Sequence, residues 1–235
     1  MKGFVTLYHW DLPQHLEDNG GWLNRNTAYA FEKYAEAVAN ALGEKVHSYA
    51  TLNEPFCSAY LGYEAGIHAP GKTGMANGRK AAHHLLLAHG LALKVLNRVC
   101  PKSQNGIVLN FSNCHTKSDS PEDIHAAKLA DDYQNQWYLK PIIEGKYPDI
   151  IDKLAPDVKP DIAEGDMAII CQPIDYLGIN YYTRTVYQSD GNGWFEIVPP
   201  ATTELTAMGW EITPDAFTEL LVDLHQRYDL PPIYI

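Results

Sequence analysis

The chain has 235 residues, 46% hydrophobic and 20% charged, so it carries enough apolar material to bury a sizeable core as one domain. Its formal charge is 18 minus 29, or −11, and such a surface repels phosphate backbones and anionic lipid. Nucleic acid and membrane are therefore excluded as natural partners, and no apolar run approaches the ~20 residues that a membrane span needs.

Short apolar runs alternate with helical patterns. Phe4 to Trp10 is rich in β-branched and aromatic residues and reads as a strand that stops at Asp11-Leu12-Pro13. From Thr27 to Leu42, apolar residues at Ala28, Phe31, Ala35, Val38, Ala39 and Leu42 share one helical stripe. Asn26 suits its N-cap, and Gly43 lies just past its end. Val46 to Asn53 reads as a second strand, closed by Pro55. A Gly-rich loop around Gly71 to Gly78 leads into a helix from about Arg79 to Arg98, and Gly106 to Phe111 is a third strand. Ser120-Pro121-Glu122-Asp123 opens a helix that runs to about Leu139, with a cap, a proline at the first position and acids in the first turn. Tyr176 to Thr183 is a fourth strand, and Ser189 to Pro200, rich in Gly and Pro, reads as a long loop. Thr213-Pro214-Asp215 starts a last capped helix, and Pro231 to Ile235 reads as a fifth strand.

The order is βαβαβαβαβ. Such crossovers build a parallel sheet with helices packed outside, either an open doubly wound sheet or a (β/α)₈ barrel. Five strands are too few to close an eight-stranded barrel. No GxGxxG or Walker glycines follow the first strand, so nothing points to a nucleotide. Cys57, Cys100, Cys114 and Cys171 lie far apart and lack zinc-ligand spacing, and they read as reduced thiols of a cytoplasmic protein.

Both architectures gather function at the C-terminal ends of the strands. The first strand ends in His9-Trp10-Asp11, the second in Asn53-Glu54-Pro55 and the fourth in Asn180-Tyr181-Tyr182. This is a hydrogen-bonding set for hydroxyl groups with aromatic faces that suit the C–H faces of a sugar, and it requires no cofactor or metal. Taken alone, a Glu before Pro is most often a solvated residue at a strand exit, His9 a satisfied interior histidine and Trp10 simple core. Glycoside hydrolysis, however, needs a carboxylic acid that protonates the leaving oxygen, and Glu54 stands where that acid would be placed, beside an amide able to hold a sugar hydroxyl. Asn180 and Tyr182 share a face by alternation, whereas Tyr181 points outward to a helix. His83, His84 and His89 lie on a predicted helix and read as a wetted face or capping set, not a metal site.

Thr6-Leu-Tyr-His-Trp-Asp-Leu-Pro13, Thr51-Leu-Asn-Glu-Pro55, Leu61-Gly-Tyr with Ile67-His-Ala-Pro-Gly71, Asp175 to Tyr182, and Gly209-Trp-Glu-Ile212 with Pro231 to Ile235 occur in that order. Together they resemble glycoside hydrolase family 1 over essentially the whole chain. The resemblance implies a (β/α)₈ barrel whose third to seventh strands are those read above, forming one partial domain over residues 1–235. It implies a retaining β-glucosidase, without a cofactor, acting on β-glucosides or cello-oligosaccharides such as cellobiose. By similarity Glu54 is the general acid/base, Asn53 binds the sugar 2-hydroxyl, and His9 binds the neighbouring hydroxyl with Trp10 beside it. Asn180 lines the site, and Tyr182 orients the nucleophile.

The chain also departs from the family pattern. The nucleophile's Thr-Glu-Asn-Gly motif is expected directly after Ile235, and the first two strands and the eighth, with their sugar-gripping residues, are expected outside the chain. Phe56 replaces the Trp often found after Asn-Glu-Pro, and Pro55 favours unphosphorylated glycosides. A sugar-binding segment without catalysis, or one half of a split glycosidase that associates through open barrel edges, are the alternatives.

Overall fold

The computed structural model describes residues 2–202 and 204–235. The elements follow in the order β1 (Phe4–Tyr8), α1 (Gln14–Asp18), α2 (Asn26–Leu42), β2 (Ser48–Asn53), α3 (Met75–Val99), β3 (Gln104–Thr116), α4 (Pro121–Asp131), α5 (Trp137–Glu144), α6 (Asp166–Ile170), β4 (Tyr176–Ser189), β5 (Phe195–Val198), α7 (Pro214–Arg227) and β6 (Ile233–Tyr234). Strands β1, β2, β3 and β4 pair in parallel in that order, and β6 adds in parallel to the first half of β4. The expected run of parallel strands with outer helices is therefore present as a partial barrel.

The helical layer is held in part by the apolar stripe expected for α2, of which Leu42, at the helix end, is instead 39% exposed. Ala28, Phe31, Ala35 and Ala39 of α2 are buried, as are Leu85, Leu86 and Leu96 of α3. At ~25 cal/mol per Å² of apolar surface, each large side chain of this kind stabilises the fold by about 1.5–3 kcal/mol. Helix α3 passes so close to α6 that a Cβ on Gly90 would lie 2.1 Å from the Ile169 carbonyl oxygen, so no larger residue fits there. Gly43 ends α2 at φ 57°, and the Ser120 side chain accepts from the Asp123 N–H, both as the sequence suggests.

Several local expectations are overturned. Asn26 lies inside α2, and Asn24 supplies the capping oxygen to the Asn26 N–H. Thr213 caps nothing, because its hydroxyl is engaged by Tyr181 and by the Arg184 N–H. The stretch from Ser189 to Pro200 is not simply a loop: β4 extends to Ser189, turns through Asp190 to Gly193, and returns as β5, antiparallel. Helix α3 begins at Met75, and the helix after Ser120 continues through a π-turn, Asp132–Gln136, into α5.

His83, His84 and His89 are correspondingly not wetted. All are buried, because α3 is covered by α2, by the π-helix Cys57–Glu64 and by α6. His83 Nε2 donates to Asp166 at 2.9 Å and its Nδ1 accepts from the Tyr147 hydroxyl, His84 Nδ1 meets the Trp22 carbonyl, and His89 Nδ1 meets the Thr51 hydroxyl. Burial lowers His84 to about 4 and His89 to about 3, and lowers His83 as well, so these rings are neutral core members. Among the described residues, no group of His, Cys, Asp and Glu side chains is arranged to hold a metal ion, and no helix is long and apolar enough to cross a membrane.

Candidate active site

The strand ends that the sequence singled out converge on one carboxyl group. Strand β2 pairs Ala50 with Gly106 but Asn53 with Val108, so it carries an extra residue against β3. Strand β4 carries another, since Phe111 pairs with Tyr181 and Asn113 with Arg184. Bulges of this kind bend a strand and re-aim its side chains. Here they lie on either side of β3, next to Asn53-Glu54 and to Asn180-Tyr182.

Glu54 is 3% exposed, and its backbone has φ 48°; Trp10, at the end of β1, has φ 80°. These are the non-glycine residues in the left-handed region among those described. Such a conformation costs a side-chain-bearing residue about 1–2 kcal/mol, and the surrounding contacts must hold it. The Glu54 N–H donates to the Val108 carbonyl at 2.8 Å, and the Glu54 carbonyl accepts from the Cys57 N–H at 2.9 Å as the π-helix begins. The Trp10 indole N–H donates to the Asn53 carbonyl at 2.9 Å.

The carboxyl group itself receives donors on both oxygens. Asn180 Nδ2 donates to Oε1 at 2.6 Å, the Tyr182 hydroxyl donates to the same oxygen at 3.2 Å, and the Cys57 thiol donates to Oε2 at 3.1 Å. Burial and the Glu54 carboxylate push the Cys57 thiol well up, so it keeps its proton and acts as a donor, not a nucleophile. Partial burial and Glu54 likewise raise the Tyr182 phenol. Asn180 Nδ2 also donates to Asn53 Oδ1 at 3.1 Å, and Asn53 Nδ2 lies 3.2 Å from His9 Nε2. Because that amide nitrogen can only donate, Nε2 of His9 accepts. His9, Asn53, Asn180 and Glu54 thus form one continuous chain of hydrogen bonds, with Trp10 packed edge-on against His9 at 5.1 Å between rings.

All six residues picked from the sequence meet in this cluster. Tyr181 leaves it, as alternation suggested, and stacks on Phe217 of α7 at 4.8 Å. Tyr182 donates to Glu54 here and not to a second carboxylate. Phe56 lies flat on Tyr60 with ring centroids 4.9 Å apart. Two neighbours escaped the sequence reading. Cys57 sits three residues after Glu54, one helical turn on, and that spacing was the available signal. Trp210 leans over Tyr182 with ring centroids 5.3 Å apart and remains 37% exposed, and only its place in a recognised motif hinted at it. Beside Asn53 and Asn180, the concave face of the sheet opens into a cavity of about 510 Å³ lined by Val5, Val108, Ile179 and Ile233.

The sequence model described as Glycosyl hydrolase family 1 matches residues 1–235. The chain belongs to this family. It is 38% identical to a β-glucosidase of Agrobacterium sp., an alignment that covers 100% of the chain and 52% of that protein. It is also 38% identical to β-glucosidase A of Acetivibrio thermocellus, covering 98% of the chain and 53% of the relative. Among solved structures, it superposes with a TM-score of 0.94 on the family 1 β-glucosidase of Thermotoga maritima, at 35% identity, covering 100% of the chain and 53% of that structure. It superposes with a TM-score of 0.96 on the virulence factor SghA solved with its substrate analogue salicin, at 36% identity. The chain spans about half the length of the relatives it matches. This family 1 chain is accordingly a partial (β/α)₈ barrel.

Proposed function

We propose that this chain is the acid/base-bearing part of a retaining β-glucosidase. Glu54 gives its proton to the glycosidic oxygen as the C1–O bond breaks, while a nucleophilic Glu, expected beyond Ile235, forms an ester with C1. Glu54, now ionised, then takes a proton from water, which attacks C1, frees the nucleophile and returns a sugar of the original configuration. The observation that carries this reading is the setting of Glu54. It is a buried carboxyl at a barrel strand's C-terminal end, held in a left-handed backbone and met by Asn180, Tyr182 and Cys57, in a family 1 chain.

In the proposed enzyme, Asn53 holds the sugar 2-hydroxyl and His9 its neighbour, with Trp10 beside them. Asn180 lines the site, and Tyr182 orients the nucleophile. Trp210, against Tyr182, forms a wall on the side from which the leaving group departs. The substrate is a β-glucoside or cello-oligosaccharide, in keeping with relatives named β-glucosidases, and the chemistry needs no cofactor. Residues 1–235 form one domain, completed through its open sheet edges by the rest of the same protein or by a complementing chain. Four free cysteines suit a reducing, cytoplasmic setting. The test is proton NMR of the first product formed from a β-glucoside by the protein expressed from the full reading frame. The β-anomer is expected first; the α-anomer refutes the retaining route.

A further inference from the structure

We infer that the Arg184–Glu211 ion pair is a positioning device that sets specificity for the leaving group, by holding the segment that carries Trp210 against Tyr182. The inference rests on the glycosidase reading above and deepens it.

Residues 205–213 have little core of their own, and they are stitched to β4 on both sides of Tyr182. The Tyr181 hydroxyl donates to the Thr213 carbonyl at 3.1 Å, the Thr183 hydroxyl to the Glu211 carbonyl at 3.0 Å, and the Arg184 N–H to the Thr213 hydroxyl at 3.2 Å. Within the segment, the Thr206 N–H donates to the Trp210 carbonyl at 2.8 Å, and Leu205 bridges to Glu211. The one charged contact among these ties joins a part-exposed Arg184 side chain, at 35%, to an enclosed Glu211. Glu211 is 7% exposed, and its Oε2 accepts from Arg184 Nε at 2.8 Å.

The guanidinium is itself fixed from the other side. Arg184 Nη1 lies 3.2 Å from His115 Nδ1, and a guanidinium can only donate, so Nδ1 accepts. The ring proton then sits on Nε2 and points at Glu219 of α7, 2.9 Å away. Glu211, Arg184, His115 and Glu219 form a continuous run from the Trp210 segment across β4 and β3 to α7. Trp210 is covalently next to Glu211, so a shift of the pair becomes a shift of the indole. Tyr182, which Trp210 covers, contacts Glu54. The indole is thus one ring removed from the acid that serves the leaving oxygen, and at 37% exposure it has a face free to meet a group attached there. Removing Arg184 leaves the enclosed Glu211 carboxylate without its counter-charge, and removing Glu211 frees a guanidinium that is already 35% exposed, so in either case the segment loses its charged tether.

The test compares two substrate types in the protein from the full reading frame. β-Glucosyl fluoride leaves behind only fluoride, which is too small to reach Trp210, whereas cellobiose and aryl β-glucosides carry a group that does. In Glu211→Gln and Arg184→Met, KM for cellobiose and the aryl glucosides rises about five- to ten-fold with kcat within two-fold. KM for the fluoride stays within two-fold, which also reports that the site is folded. The double variant is no worse than either single, because both remove the same contact. Equal changes on both substrate types, no change on either, or full additivity overturns the inference. A parent protein that hydrolyses neither substrate overturns the glycosidase reading first, and this inference with it.

Discussion

Replacing Glu54 by Gln separates its chemistry from its architecture. The amide is the same shape and size. Its oxygen can take the Oε1 position, where Asn180 Nδ2 and the Tyr182 hydroxyl donate at 2.6 and 3.2 Å, and its NH₂ then faces Cys57 Sγ, a weak acceptor, in place of Oε2 at 3.1 Å. The left-handed backbone at φ 48° is no harder for Gln than for Glu. What disappears is the transferable proton. General acid catalysis is worth about 10²–10⁴-fold, or roughly 3–5 kcal/mol of barrier. In the protein from the full reading frame, kcat/KM for cellobiose or an alkyl β-glucoside should fall by that amount. For a dinitrophenyl β-glucoside, whose leaving group needs no proton, kcat/KM should fall by less than about ten-fold. The ratio kcat/KM is the correct readout because it reports the first displacement, whereas kcat also contains the second, in which Glu54 acts as base for every substrate. Equal losses in kcat/KM on both substrates would refute the acid role.

Three further outcomes are expected. The 235-residue chain alone should turn over no β-glucoside above a Glu54→Gln control, because among the described residues Glu54 meets Asn180, Tyr182 and Cys57 but no partner carboxylate; Glu54-dependent turnover would show that another residue or chain supplies the nucleophile. The same chain should associate in light scattering, since Phe4 and Ile235 at the sheet edges are 59% and 73% exposed beside an apolar concave face; a monodisperse monomer with one sharp thermal transition would contradict this. Asp166→Ala in the protein from the full reading frame should cost about 3 kcal/mol in denaturant melts, because the carboxylate holds Arg25, His83 and the Ala163 N–H. Burial pushes Asp166 up, but those donors outweigh it and hold it well below the usual carboxylate range, so its stabilisation is complete above about pH 4 and fades as pH falls further. The variant should lose this acid-side dependence, and an unchanged pH profile would refute the assignment.

Much of the site was legible because strand-end rules and residue chemistry act locally. His9, Asn53, Glu54, Asn180 and Tyr182 each follow a run of β-branched and aromatic residues, and the parallel topology brings such ends together. The two bulges that aim them were not legible, because an extra residue in a strand leaves no trace in an alternating pattern. The buried histidines of α3 were misread from their polarity. The better signal was that Leu85 to Leu87 and Ala88 surround the helix on every side, which leaves no solvated face for His83, His84 or His89. The β4–β5 hairpin hid behind its own turn: Asp190 to Gly193 reads as loop, but the Asp190 carboxylate accepts from the Asn192 and Trp194 N–H groups and folds the strand back. Contacts between distant segments, such as Arg184 with Glu211 and Trp210 with Tyr182, depend on where a connection lands, which no local pattern specifies.

The central claim is that Glu54 serves one covalent intermediate first as acid and then as base. Azide tests this most directly, since it attacks C1 without needing a proton removed. With Glu54→Ala in the protein from the full reading frame and a dinitrophenyl β-glucoside, added azide should accelerate turnover at least about ten-fold and yield β-glucosyl azide. Failure of azide to accelerate the variant, or formation of the α-azide, would contradict the account.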